Sequence, residues 1–241
     1  MLQVCVNGAR TLAQCPGLPV TAYQIAAAAR AAVAAGAEDI HLHPKDSRGR
    51  DSMAAQHVAA AVGAVRAVVG PVAVGVTTGA WSEPDPDRRV ARVRSWTVLP
   101  DHASVNWHED GAQEVAAALI ERGIGVEAGI YSGTDAVRRF RCSPLADRVV
   151  RVLAEVTDTD PATAPDTAAA LLAALGPTTA PVLLHGEDGG AWPVLAVAAE
   201  RGLSTRIGLE DVLTDPAGVP VGDNAVLVAA ARRLLGGATG R

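Results

Sequence analysis

Two histidines one residue apart, His41 and His43 in the run IHLHPKD, could act together on one ion. In an extended strand successive side chains point to opposite faces. Both imidazoles would then project from the same side and could offer nitrogen to a shared metal. An HxH pair also occurs as a hydrogen-bonded structural pair, so the reading depends on what else the chain brings there. The run STRIGLED, 204–211, supplies a candidate partner, although alone it also reads as a solvated strand-to-loop transition. As a strand it puts Arg206, Gly208 and Glu210 on one face, with Asp211 next in line. Two histidines and one carboxylate, with water completing the shell, form a catalytic zinc set with Zn–N distances of ~2.0–2.1 Å. Asp211, oriented by Arg206, could serve as a general base beside that ion.

These groups meet only if the fold brings the second strand-like run beside the last. Short apolar runs alternate with alanine-rich helical runs along the whole chain. Strands are expected at 2–8, 38–44, 72–79, 102–108, 124–132, 149–156, 181–187 and 204–211. Helices are expected between them, the first capped by Thr21 and stopped at Gly36. The others fall at 52–69 with a stop at Gly70-Pro71, within 83–94 after an opening of prolines and acids, after the fourth strand through Arg122, and at 134–141, 166–175, 191–201 and 223–235.

Eight strand–helix units with short connections predict a parallel sheet. Eight is also the number that closes a (β/α)₈ TIM barrel of ~250 residues, and 241 residues fit one such domain spanning 1–241. An open doubly wound sheet is the competing arrangement, but neither a GxGxxG turn nor a P-loop is present. In a closed barrel strand one lies between strands eight and two, so Glu210 reaches toward the histidine pair across it.

A barrel concentrates chemistry at the C-terminal ends of its strands. Asn7, His41, His43, Thr77, Thr78, Asn106, His108, Glu127, His185, Glu187, Arg206, Glu210 and Asp211 all fall there. So many polar groups would be costly to bury without a ligand. VTTG, 76–79, is either a plain strand-to-helix turn or a block whose hydroxyls and N–H groups hold a carboxylate. His108 and His185 each stand alone and read as pocket lining. His57 reads as helix surface, and His102, opening a strand, is expected to do little.

Composition narrows the function classes. Hydrophobic residues make up 49% and charged residues 20%, a globular balance, and the net charge of −5 offers no basic footprint for nucleic acid. Three cysteines without CxxC spacing argue against a disulfide scaffold and for a reducing cytoplasm. The first residues, MLQVCVNGARTL, lack the charged leader and long apolar run of a signal peptide, and no stretch reads as a membrane span.

The chain resembles the β-keto acid cleavage enzymes, typified by 3-keto-5-aminohexanoate cleavage enzyme. The resemblance is carried by the NGA turn, LPVTAYQIAAAARAAVAAGAEDIHLHPKD, VTTG, ASVNW, GVEAG, STRIGLED and DNAVLV, in that order over nearly the full length. It implies a (β/α)₈ barrel, one zinc ion, acetyl-CoA as co-substrate and a homo-oligomer, dimer or tetramer. The implied reaction is condensation of a β-keto acid with a CoA thioester, then retro-Claisen cleavage to acetoacetate and a new acyl-CoA. The motif puts zinc on His41, His43 and Glu210, and makes Asp211 with Arg206 the base dyad. Thr77, Thr78 and Gly79 match the block that holds the substrate carboxylate, Asn106 lies nearby, and Glu127 matches an acid that shapes the substrate pocket.

The chain departs from the family pattern at Lys45, where an arginine is common, at Ala80, where a second glycine is common, and at Gly129. At the last, E-x-E becomes E-x-G, removing an acid from the pocket wall and making a cationic substrate less expected. A zinc barrel that uses water in place of CoA, and a barrel that binds a small carboxylate without catalysis, remain the alternatives.

Overall fold

The computed structural model describes residues 1–238. Among them, eight strands alternate with eight α-helices: β1 (Leu2–Cys5), α1 (Ala22–Ala34), β2 (Asp39–Leu42), α2 (Ala55–Val69), β3 (Ala73–Thr77), α3 (Pro86–Ser95), β4 (His102–Asn106) and α4 (Ala112–Glu121). They continue with β5 (Gly125–Tyr131), α5 (Ala136–Arg141), β6 (Arg151–Val156), α6 (Ala164–Leu175), β7 (Val182–Gly186), α7 (Ala191–Glu200), β8 (Thr205–Ile207) and α8 (Asn224–Ala238). The ladders are parallel in the order β7-β6-β5-β4-β3-β2-β1-β8. The ends of the sheet meet where Leu184 N donates to Ser204 O at 2.9 Å and Thr205 Oγ1 to Leu184 O at 2.8 Å. This is the expected (β/α)₈ barrel.

Local chemistry sets the helix ends. Thr21 caps α1 through a reciprocal capping box with Gln24. Asp85 accepts from Arg88 N ahead of Pro86, a pairing suited to a helix start. The segment from Glu83 accordingly opens with acids and prolines and turns helical at Pro86.

Strand alternation separates two interiors. Val4, Ile40, Val74, Val76, Val105, Val126 and Val152 pack outward under the helices in one continuous apolar layer. The residues between them point into the barrel, and most are polar: Gln3, Asp39, His41, His102, Glu127, Arg151, Glu155, His185 and Arg206, all buried. Near the N-terminal ends of the strands these groups pair with one another by charge. Arg151 donates to Asp39 Oδ2 (2.9 Å) and pairs with Glu127 Oε1 (2.8 Å). His102 lies 3.0 Å from Asp39 Oδ1 and 2.9 Å from Glu127 Oε2. Gln3 Nε2 donates to both acids. Two acids thus face two cations, which is what makes their burial tolerable.

His102 is a correction: far from idle, it is the central cation of this floor. Burial alone would push its imidazole down, but Glu127 and Asp39 outweigh that and raise it to about 10.

Candidate active site

The loop β1–α1 and the turn after β8 build the site from opposite sides of β1. Asn7 ties the first to β2. Its Nδ2 donates to His43 O (3.0 Å) and its Oδ1 accepts from His43 N (2.9 Å), which locks the backbone of the second histidine. Gly8 follows at φ +60°, where a Cβ would lie 2.4 Å from Glu210 Cγ. The NG turn is therefore needed for its left-handed backbone and for the room it leaves the glutamate.

Glu210 reaches the histidines, but not by strand alternation. β8 ends at Ile207. Gly208 then passes so close to β1 that a Cβ would lie 1.9 Å from Cys5 O. Asp211 N and Val212 N both turn back to Gly208 O (2.9 and 3.0 Å). The expected strand 204–211 is cut short because this crossing replaces ladder pairing with a helical turn. That turn presents Glu210 and Asp211 side by side.

His41, His43 and Glu210 offer one ligand atom each, all within 4.8 Å of one another. Glu210 Oε2 lies 3.6 Å from His43 Nε2 and 3.9 Å from His41 Nε2, is buried, and has no hydrogen-bond partner. The other glutamate oxygen, Oε1, accepts from Arg206 Nη2 (3.0 Å). Burial would raise Glu210, but Arg206 and the two histidines outweigh it and hold it low. Burial pushes His41 down to about 4, so its imidazole is neutral. A neutral imidazole, an anionic carboxylate and an orphaned oxygen aimed at both rings fit a divalent cation of zinc type.

Behind each histidine stands a carboxylate. Asp51 Oδ2 takes a hydrogen bond from His43 Nδ1 at 2.7 Å, while Lys45 Nζ donates to Asp51 Oδ1 and to Gly8 O. Burial opposes ionisation of Asp51, but His43 and Lys45 win and keep it well below the usual carboxylate range. Glu127 Oε2 lies 3.9 Å from His41 Nδ1. Asp51, at hydrogen-bond distance, is the kind of outer carboxylate that orients a metal-binding imidazole, whereas Glu127 and His41 Nδ1 face each other without a hydrogen bond. Asp51 was missed in the sequence. Its signal was DSRGR, in which Asp46 Oδ1 accepts from Arg48 N and Arg50 N and folds the loop back to β2. At position 45 the lysine makes a buried cationic link despite departing from the family's arginine.

Beside the metal-type cluster opens a cavity of about 330 Å³, lined by Arg10, His43, Trp81, Tyr131, Glu155, Glu187, Arg206, Glu210 and Asp211 among others. Asp211 is fully buried; its Oδ1 accepts from Arg206 Nε at 3.1 Å and its Oδ2 has no partner. Burial raises Asp211 above the usual carboxylate range, with Arg206 pulling the other way.

The other sequence-predicted residues lie away from this wall. Glu127 sits beneath His41, fully buried in the charged floor. Thr78 Oγ1 donates to Ser104 O (2.6 Å), and Thr77 Oγ1 accepts from Gly79 N (3.1 Å). Asn106 Nδ2 donates to Glu109 Oε1 (2.9 Å), and that carboxylate also receives Ala80 N and Arg89. Trp81 lies across Gly79, donates Nε1 to Asp51 Oδ2 (2.8 Å) and stacks on His43 with ring centroids 5.9 Å apart. Trp81 was not singled out in the sequence, and neither was Glu155. The register of β6 carries Glu155 to the mouth.

Solved structures share the architecture. ObcA in binary complex with oxaloacetate matches with a TM-score of 0.71 at 19% identity, over 92% of this chain and 64% of that one. A 3-dehydroquinate dehydratase from Geobacillus kaustophilus HTA426 matches with a TM-score of 0.62 at 12% identity, over 98% and 89%. At such identities the likeness is one of fold, and this chain spans less than two thirds of ObcA's length. The sequence itself matches the family model for beta-keto acid cleavage enzymes over residues 1–241, and the chain belongs to that family.

Proposed function

We propose that this chain is a zinc-dependent enzyme that condenses a β-keto acid with acetyl-CoA and releases acetoacetate and a new acyl-CoA by retro-Claisen chemistry. One observation carries the reading. The unpartnered Oε2 of Glu210, aimed at two histidines, and the unpartnered Oδ2 of Asp211 stand on adjacent residues at one small cavity. A zinc ion held by His41, His43 and Glu210 would act as a Lewis acid toward the keto oxygen.

The chain's own groups do the rest. Asp211 Oδ2 takes the proton from the carbon between keto and carboxylate groups, and the electron pair of that C–H bond stays on carbon as a nucleophile. Burial makes Asp211 a stronger base than an exposed aspartate, while Arg206 holds it in place and keeps the adjacent Glu210 ionised. Thr77, Thr78, Gly79 and Asn106 are proposed for the carboxylate end of the substrate on the family motif, with Trp81 as their cover. Glu127 is proposed to act from beneath, through His41.

A cavity of about 330 Å³ suits a small acid. Oxaloacetate, which ObcA binds, is itself a β-keto acid and belongs among the candidates. Free Cys5, Cys15 and Cys142 support a reducing cytoplasm. No helix of the described residues is long and apolar enough to cross a membrane. A homo-oligomer is proposed from the family resemblance.

The test is a panel of β-keto acids, oxaloacetate included, assayed for acetoacetate with and without acetyl-CoA, alongside metal analysis. Acetyl-CoA-dependent acetoacetate with zinc bound is the expected result. Turnover independent of acetyl-CoA would replace the reading with a water-using lyase. Absence of turnover across the panel would leave a carboxylate-binding barrel.

A further inference from the structure

Two buried groups take no part in the chemistry so far described. His185, at the end of β7, is fully buried, and neither ring nitrogen has a hydrogen bond. It stands between two carboxyl groups. Its Nδ1 lies 3.6 Å from Asp211 Oδ1, and its Nε2 lies 3.4 Å from Glu155 Oε2. Separations of this length are common in catalytic arrays and tighten when substrate is present.

Glu155 is only 3% exposed, yet it reaches the cavity wall. Strand register sets the row: Tyr131 pairs with Glu155, and Glu155 with His185. Gly129 leaves the space. A Cβ there would lie 3.1 Å from Glu155 Oε1 and 2.7 Å from Asn106 Oδ1. An acid from β6 thus occupies the stretch of wall where β5 carries none.

One distribution of protons serves every atom in the row. Asp211 Oδ1 already accepts from Arg206 Nε, so a second donor suits it and a second lone pair does not. His185 must then carry its proton on Nδ1, which leaves Nε2 an acceptor. The remaining donor is Glu155 in its acid form. Burial agrees at both positions, pushing His185 down to about 3 and Glu155 up to about 7.

We infer that Glu155 and His185 are positioning residues for Asp211. Glu155 O–H donates to His185 Nε2 and His185 Nδ1–H donates to Asp211 Oδ1, so that Oδ2 is the oxygen left to take a proton. This rests on Asp211 being the base, but the chain of hydrogen bonds can be tested apart from activity. In purified protein of measured zinc content, ¹⁵N spectra of labelled histidine should show His185 as the neutral Nδ1–H tautomer between about pH 5.5 and 6.5, where Glu155 still holds its proton. Its signals are assigned by their loss in His185→Asn. An Nε2–H tautomer or an imidazolium in that range overturns the array, whatever the turnover.

Kinetics then test the role with acetyl-CoA and the β-keto acid best cleaved in the panel. His185→Leu should lower kcat on the order of 100-fold, as misplaced catalytic groups do, with KM and zinc content kept. His185→Asn, whose amide nitrogen stands where Nδ1 stood, should recover part of that loss, and Glu155→Leu should resemble His185→Leu. Full kcat in His185→Leu, or no advantage of Asn over Leu, overturns the positioning role. Wild-type protein inert on the whole panel would refute the cleavage reading instead and leave the spectra to judge the array.

Discussion

Asp51 Oδ2 lies 2.7 Å from Nδ1 of His43, and the aspartate is ionised, so the histidine must donate. That one contact makes Nδ1 the donor and turns Nε2 toward Glu210, whose Oε2 lies 3.6 Å away. Asp51 is the residue through which the β2–α2 loop governs the cluster, because Lys45 and Trp81 also converge on its carboxylate.

Removing that contact should weaken metal binding without abolishing it. Asp51→Asn is expected to lower zinc affinity about 10–100-fold, the usual cost of losing an outer carboxylate. His41→Ala and Glu210→Ala should lose the metal and turnover together. Competition titration with a chromogenic chelator separates the two cases. Equal affinity in Asp51→Asn and wild type would remove Asp51 from the metal's support.

Asp211→Asn should bind zinc as wild type does and lose turnover by about 10²–10⁴-fold, the range for a general base. The amide keeps the shape and an oxygen for Arg206 but cannot take the proton. Steady-state rates beside metal content measure this, and unchanged turnover would take Asp211 out of the chemistry.

Gly208→Ala tests the crossing that carries Glu210. The added Cβ would meet Cys5 O at 1.9 Å, a backbone atom that cannot swing aside. A loss on the order of 1–3 kcal/mol is expected from such overpacking, with weakened zinc binding because the turn must shift. Urea denaturation and the same chelator titration report both effects.

His102 should make stability fall in alkali. Its folded pKa, raised to about 10 by Glu127 and Asp39 against burial, lies above the unfolded value of about 6.5. The contribution is complete below the unfolded value and fades as pH climbs through the folded one. Urea midpoints of wild type should therefore drop between about pH 7 and 10 more than those of His102→Asn. Parallel curves would show that the imidazolium does not support the floor.

The sequence alone determined the rhythm of eight strand–helix units, because apolar spacing, Thr21, Gly36 and Gly70 are local signals. It also determined the HxH face, since alternation along one strand needs no partner. The family motif carried Glu210 and Asp211 to the same place for a partly different reason from the one residue spacing suggested. Alternation does not extend past Ile207, and a turn around Gly208 takes over. What only the tertiary structure decided lies across strands: Glu155 above Gly129, His185 between two acids, His102 facing Glu127, and Asp51 behind His43. Each pairing depends on register and barrel closure between residues far apart in the chain. Composition, periodicity and motif spacing describe neighbours along the chain, whereas a buried charge is tolerable only through the partner that folding sets beside it.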